Sequence, residues 1–367
     1  MKFSSEDFAI ILALNRDPFI STAELASQLN ISEEILYLKI SQMKTEGVLI
    51  RPVAMYEPEP FGLSRINILA LVPNIAAIEA VEKLCDEHPY THYRARMFGG
   101  TIGLFMQFDI PEDTLELLEL LFSELKNLGL ISKYSFYQST GTRLSADPDL
   151  SRYNFKLSSW RFNWNIWFAT LQPNPPLLPV NNLSSIDYTN FDPTRLKILR
   201  MLTSDASITP ETLTAVFDIS LSSATSHLKF VMEKYVSDVR YLYNREIFDL
   251  SETIIAFGHN VDPQRVAKLY YGIKNTPPPF YSAFDVLKDN NLCFWATMSP
   301  GQIADFTFAG WQNIPNFKTH ILDIRSSMLY WFYPPNFNLE KRTWKDSNSY
   351  IVKNPLLALQ NFLSIQD

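Results

Sequence analysis

An internal repeat constrains this fold more than any single motif. Sliding residues 8–45 along by 188 positions places Ile10 on Ile198, Leu14 on Leu202, Asp17 on Asp205, Leu25 on Leu213, Ile31 on Ile219 and Ser32 on Ser220 without a gap. The echo continues downstream. "INILALVPNIAAIEAV" (Ile66 to Val81) faces "TIIAFGHNVDPQRVAKL" (Thr253 to Leu269), and "GLFMQFDIPED" (Gly103 to Asp113) faces "LCFWATMSPGQ" (Leu292 to Gln302). An ordered series of matches at a near-constant offset is the mark of a repeated structural unit.

Each half therefore reads as three helices followed by a β-α-β-β-α-β segment. In the first half the apolar periodicity predicts strands over Arg65–Val72, His92–Arg96, Ile102–Asp109 and Lys133–Ser139. It predicts helices over Ala76–Asp86 and Glu112–Leu128, the latter stopped at Gly129. The expected class is α+β: an internally duplicated chain, each half a winged helix-turn-helix followed by a ferredoxin-like βαββαβ domain. The boundaries are 1–60 and 191–249 for the helix-turn-helix units and 64–144 and 251–335 for the α/β domains. An aromatic and Pro-rich linker falls at 145–190, with Pro173, Pro175, Pro176 and Pro179, and a C-terminal tail at 336–367.

Composition narrows the class. Of 367 residues, 46% are hydrophobic and 19% charged, enough apolar side chain for several packed cores. A net charge of -7 argues against a general nucleic-acid coat, because non-specific affinity comes from neutralising phosphates. Two isolated cysteines, Cys85 and Cys293, build neither a disulfide framework nor a Cys-rich zinc site, and suit a reducing cytoplasm. No signal peptide and no membrane span are expected.

The stretch "AELASQLNIS" (Ala23 to Ser32) has the form of a helix-turn-helix. Ser32 offers an N-cap to a following helix with Ile35, Leu36, Ile40 and Met43 on one face, Gly47 ends it, and "VLIRPVAMYE" alternates like a wing. Such a helix can lie in a DNA major groove, and trihelical cores also serve as plain packing modules. The second copy is "ETLTAVFDIS" (Glu211 to Ser220).

Together with "HPYTHYRARMFG", this stretch resembles the leucine-responsive (Lrp/AsnC) family of archaeal and bacterial transcription regulators. The resemblance covers residues 1–140 well and 191–335 weakly, and points to the archaeal type. The family's recognition-helix pattern corresponds to Ser32, Ile35-Leu36 and Lys39-Ile40, and more distantly to Ser220, Ser223-Ala224 and His227-Leu228. Its glycine-bearing ligand turn is replaced by "GGTIG" (Gly99 to Gly103). The resemblance implies a DNA-binding regulator that is not an enzyme, has no cofactor, and binds double-stranded DNA as a pseudo-dimer or homodimer. The expected DNA-facing residues are Ser32, Tyr37, Lys39, Gln42, Lys44 and Arg51 in the first copy, and Ser222, Ser223, Thr225, Ser226 and Lys229 in the second.

Charge divides the two copies. Residues 1–50 hold four bases and seven acids, with Glu33 and Glu34 at the start of the recognition helix, where dipole stabilisation explains them. Residues 191–248 balance at zero, and their recognition helix opens on uncharged Ser and Thr.

The densest cluster of polar chemistry is "EHPYTHYRARMFGG" (Glu87 to Gly100). Pro89 opposes a helix that would present His88 and His92 as metal ligands. Strand alternation places His92, Arg94 and Arg96 on one face and Tyr93, Ala95 and Met97 on the other. A small acidic effector would sit on His92, Arg94, Arg96, Gly99 and Gly100, and a charged dimer surface is the bland reading. Two other functions share this architecture. Siroheme decarboxylases resemble it and use His and Arg around a tetrapyrrole, which directs attention to His88, His92, Arg94 and Arg96. The third reading is an interaction protein whose helix-turn-helix units only pack.

Overall fold

The structure is a computed structural model that describes residues 4–154, 156–179, 188 and 191–366. It divides into two compact units, and neither unit is one half of the sequence. The first takes Met1–Glu57, Leu150–Ser159 and Thr189–Asp249; the second takes Pro58–Asp149, Trp160–Tyr188 and Leu250–Asp367.

The first unit gathers both trihelical segments. One holds α1 (Ser5–Arg16), α2 (Thr22–Leu29), α3 (Glu33–Thr45) and the strand β1 (Leu49–Met55). Ser21 and Ser32 cap α2 and α3, each accepting a backbone N–H three residues on. The α2–α3 turn passes through Asn30 at φ 54, in the left-handed region that Asn tolerates. Ile10, Leu25, Leu36 and Met43 close this core. Later in the chain, after the α/β segment and its aromatic continuation, the pattern returns.

The second unit is a closed eight-stranded barrel with helices packed on it. Its first-half elements are β2 (Leu63–Leu71), α4 (Ile75–Glu87), β3 (Thr91–Phe98), β4 (Gly103–Pro111), α5 (Leu115–Asn127) and β5 (Lys133–Ala146). These lie within a few residues of the expected segments, except that β5 runs seven residues past the expected end at Ser139, and Gly129 ends the α5 region at φ 73. Next in the chain come the short strands β6 (Tyr153–Asn154), in the first unit, and β7 (Ser159–Trp160), at whose Ser159 the first unit's segment ends, and then the second unit's helix α6 (Trp164–Thr170).

Helices α7 (Pro193–Ser204), α8 (Pro210–Phe217) and α9 (Leu221–Lys234) and the strand β8 (Asp238–Tyr243) belong to the first unit. The turn before α9 repeats that of the first copy at Asp218, φ 51. The strands β1 and β8 pair antiparallel, with Val53 opposite Arg240 and Met55 opposite Asp238. The expected wing of each copy is thus one strand of a shared ribbon.

The barrel continues with β9 (Glu252–Gly258), α10 (Pro263–Asn275), β10 (Tyr281–Leu287), β11 (Asn291–Met298), α11 (Pro300–Asn313) and β12 (Lys318–Leu329). The strand order is β10-β11-β9-β12-β3-β4-β2-β5, closed by β5 on β10. Each half contributes four strands in the ferredoxin-like order, and its last strand pairs with the second strand of the other half. Closure leaves neither four-stranded sheet with an open edge. The long strands β5 and β12 form the corners. Residues 133–138 of β5 pair with β2, and Ser139 and residues 143–146 pair with β10 on either side of a bulge. Gly141, at φ 78, sits in that bulge.

The expected linker and tail are built into the fold. Trp164 of α6 stacks on Phe280 and meets Phe306 at 4.8 Å, burying an aromatic segment whose sequence reads as a spacer. Residues 155, 180–187, 189 and 190 of that linker lie outside the described residues. The tail forms β13 (Phe337–Asn338), β14 (Thr343–Trp344) and α12 (Asn354–Gln366). Trp344 Nε1 donates to the Phe61 carbonyl at 2.7 Å, which anchors the tail to the barrel unit. Among the described residues no helix is long and apolar enough to cross a membrane.

Candidate active site

Alternation along each strand sends one set of side chains inward, and that interior has two layers. One is apolar: Ala95, Met97, Phe105, Ile255, Phe257, Leu287, Cys293 and Leu322, with Tyr93, Tyr137 and Trp295 packed against them. The other is polar. Arg65 on β2 lies opposite Asp109 on β4 and grips it twice, Nε to Oδ1 at 2.7 Å and Nη2 to Oδ2 at 2.8 Å. His92 Nδ1 stands 3.1 Å from Asp109 Oδ2.

The same layer continues around the barrel. Gln107 Nε2 donates to Asn67 Oδ1 at 2.8 Å, and Asn67 Nδ2 donates to Asp285 Oδ2 at 3.4 Å. Ser139 Oγ donates to Asp285 Oδ1 at 2.5 Å and accepts from Arg143 Nη2 at 3.0 Å. Arg143 Nη2 also donates to Glu59 Oε1 at 2.7 Å, from the 3-10 turn Glu59–Phe61.

Electrostatics separate the groups. Burial alone would raise Asp109, but Arg65 and His92 beside it overcome that and hold its carboxyl well below the usual range. Burial and the Arg65 charge keep His92 neutral, with Asp109 opposing. Burial raises Asp285, offset in part by Arg143, Ser139, Arg65 and Asn67. A neutral imidazole bonded to a firmly ionised carboxylate can take up and release a proton while the carboxylate keeps its charge.

The expected face of β3 needs correction. The pairing of β3 with β4 shifts register between Thr91 and Tyr93. That extra residue turns His92 inward to Asp109, so His92 does not share a face with Arg94 and Arg96. The two arginines instead bind α4. Arg96 grips Glu82 at 2.9 and 2.8 Å, and Arg94 lies 3.2 Å from Glu82 and 3.1 Å from Asp86. Tyr330 bonds both Arg94 and Asp86. Gly99 and Gly100 form the β3–β4 turn, where an added Cβ would meet open space. Of the five expected effector residues, only His92 joins the polar layer. Residues of this layer that sequence reading missed include Arg65, Asp109, Ser139, Arg143 and Asp285. The one available signal was polar residues recurring at inward positions of otherwise apolar strands.

The expected DNA-facing residues are placed as follows. Ser32 Oγ is engaged as an N-cap, and Tyr37 and Lys44 are exposed. Lys39 Nζ lies 3.0 Å from Asp7 and 3.2 Å from Glu6. Gln42 donates to Glu46 at 2.9 Å, and Arg51 Nε donates to the Ser204 carbonyl at 2.7 Å. On α9, Ser222, Thr225, Ser226 and Lys229 are exposed and Ser223 is half-buried. The Thr225 hydroxyl donates to the Leu221 carbonyl, and Lys229 lies 3.9 Å from Glu233.

No family model and no curated protein matches the chain. Among solved structures, the siroheme decarboxylase NirDL is similar over 97% of this chain and 100% of its own, at 12% identity and a TM-score of 0.50. E. coli AsnC is similar over 38% of this chain and 92% of its own, at 18% identity and a TM-score of 0.31. LrpC of B. subtilis covers 38% of this chain and 94% of its own, again at 18% identity and 0.31. Regulators of the Lrp/AsnC type thus match only part of the chain, while the full-length likeness in fold is to an enzyme. This corrects two expectations, a DNA-binding regulator and a protein without enzymatic activity. The physical reason lies in the second half. The resemblance to regulators is carried mainly by residues 1–140, whereas here two α/β segments close into a single barrel with a buried polar layer.

Proposed function

We propose that this chain is an enzyme that decarboxylates a carboxylate-bearing tetrapyrrole of the siroheme class. The observation that carries the reading is the buried His92–Asp109–Arg65 group on the wall of a barrel built from both halves. Loss of one carboxyl from such a substrate breaks a C–C bond, releases CO2 and leaves an electron pair on carbon, which takes up one proton. The step therefore needs a group that can hold a proton beside a site shielded from water. His92, neutral and bonded to an ionised Asp109, can take one up and pass it on, and Arg65 keeps Asp109 ionised. The iron of siroheme enters with the substrate.

The same reading includes an internal duplication. Its support is the offset of 188 residues, which relates Asn30 to Asp218, Arg65 to Thr253 and Asp109 to Thr297. The test is anaerobic incubation of the purified full-length chain with siroheme. A shift of the siroheme absorption on binding, and product lighter by the mass of CO2, are expected. An unchanged spectrum with no decarboxylated product would overturn the reading.

A further inference from the structure

Asp285 is the second half's contribution to a polar layer otherwise drawn from the first. It stands on β10 directly opposite Arg143 on β5, at the seam where the barrel closes. Its neighbours are already committed elsewhere. Arg65 is locked on Asp109 by two bonds, and Arg143 lies 2.7 Å from Glu59 but 3.9 Å from Asp285. Direct bonds to Asp285 come from the neutral donors Ser139 and Asn67. From β11, the facing side chain is the buried Cys293, held as a neutral thiol by burial. Asp109 and Glu59 are each held by a guanidinium at hydrogen-bond distance, whereas the nearer guanidinium nitrogen of Arg143 stands 3.9 Å from the buried Asp285. A buried carboxyl held by neutral donors is cheaper to protonate than one gripped by an arginine.

We propose that Asp285 is the proton-holding acid of this layer, completing across the barrel seam the site that the first half begins. Its link to tetrapyrrole decarboxylation rests on the function proposed above. Ser139 bridges it to Arg143, so the carboxylate left after proton release is met by a hydroxyl donor with a guanidinium behind it. Asn67 and Gln107 tie it to the β2–β4 pair that carries Arg65 and Asp109. In the reaction Asp285 supplies the proton that replaces CO2 on the substrate carbon and regains one from solvent, so atoms and charge balance.

The test has two readouts on the full chain. Infrared spectroscopy at neutral pH is expected to show a protonated-carboxyl band that vanishes in Asp285→Asn and shifts in Ser139→Ala. This needs no substrate, so it stands even if siroheme proves not to be turned over. With siroheme as substrate, Asp285→Asn is expected to lower kcat about a hundredfold or more with KM little changed. It should also remove the fall in activity on the alkaline side of the pH profile, and Asp285→Glu should restore part of both. A wild-type spectrum without the band overturns the proposal, as does an Asp285→Asn protein with wild-type kcat and pH profile. Should Asp285→Asn fail to fold, the band's response to Ser139→Ala decides: no shift overturns the proposal.

Discussion

Thr253 Oγ1 lies 3.0 Å from Thr297 Oγ1 at the register position that Arg65 and Asp109 occupy in the other half of the barrel. Two equivalent places on one closed sheet therefore carry different chemistry. One is a buried ion pair with a histidine attached, the other a pair of hydroxyls that satisfy each other. A polar pair that is already satisfied needs no charged partner to stay buried. The expected consequence is one siroheme bound per chain. A spectral titration that breaks at one equivalent supports this, and a break at two would mean that the threonine position also binds.

The ion pair makes a second prediction. Arg65→Thr alone leaves Asp109 buried with less compensation and is expected to cost about 3–5 kcal/mol. Asp109→Thr strands the guanidinium in the same way. The double substitution copies the second half's pair and should cost less than the sum of the singles, with no decarboxylation. Denaturant unfolding of the three variants gives the coupling, and additive losses would rule out the pairing as the source of stability.

His88 makes the fold acid-sensitive. It is buried with Phe108 edge-on at 4.9 Å, and its Nδ1 accepts the Tyr90 N–H at 3.2 Å. Burial pushes it from 6.5 down to about 3, opposed by the Ile351 backbone. Between those values the unfolded chain holds a proton that the folded chain lacks. Stability is therefore complete above pH 6.5 and falls as pH drops toward 3, by about 1.4 kcal/mol per pH unit for this one group. His88→Phe should flatten that slope in acid unfolding followed by circular dichroism, and an unchanged slope would assign the sensitivity elsewhere.

Gly141 is required by the corner of β5. Its φ of 78 disfavours any side chain, and an added Cβ would sit 3.0 Å from Glu59 Cγ. Gly141→Ala is expected to cost about 1–3 kcal/mol. The same push on Glu59 loosens its bond to Arg143, so decarboxylation should fall further than stability alone explains. Equal losses in both, measured by chemical denaturation and turnover, would confine the effect to the backbone.

The tail should behave as part of the barrel unit. Trp344→Phe keeps the ring but removes the bond to the Phe61 carbonyl, at a cost of about 1 kcal/mol. Faster proteolytic cleavage within residues 336–353 is the expected outcome, and unchanged cleavage would show that ring packing alone holds the segment.

Local order in this protein was legible from residues close in sequence. The cap Ser32, the stop at Gly129 and the strand periodicity of β2, β4 and β5 depend on hydrogen bonds and faces within a few positions. Hence the repeated order of elements could be read directly. The inward turn of His92 could not, because one extra residue in the β3 pairing reverses a face without altering composition. Nor could the meeting of Asp285 with Ser139, 146 residues apart, or the sharing of β1 and β8. Apolar alternation says which side of a strand is buried, but not which edge it joins. Edge pairing is decided when backbone groups of two sheets satisfy each other, and here that closure turned two similar halves into one barrel with a single charged layer.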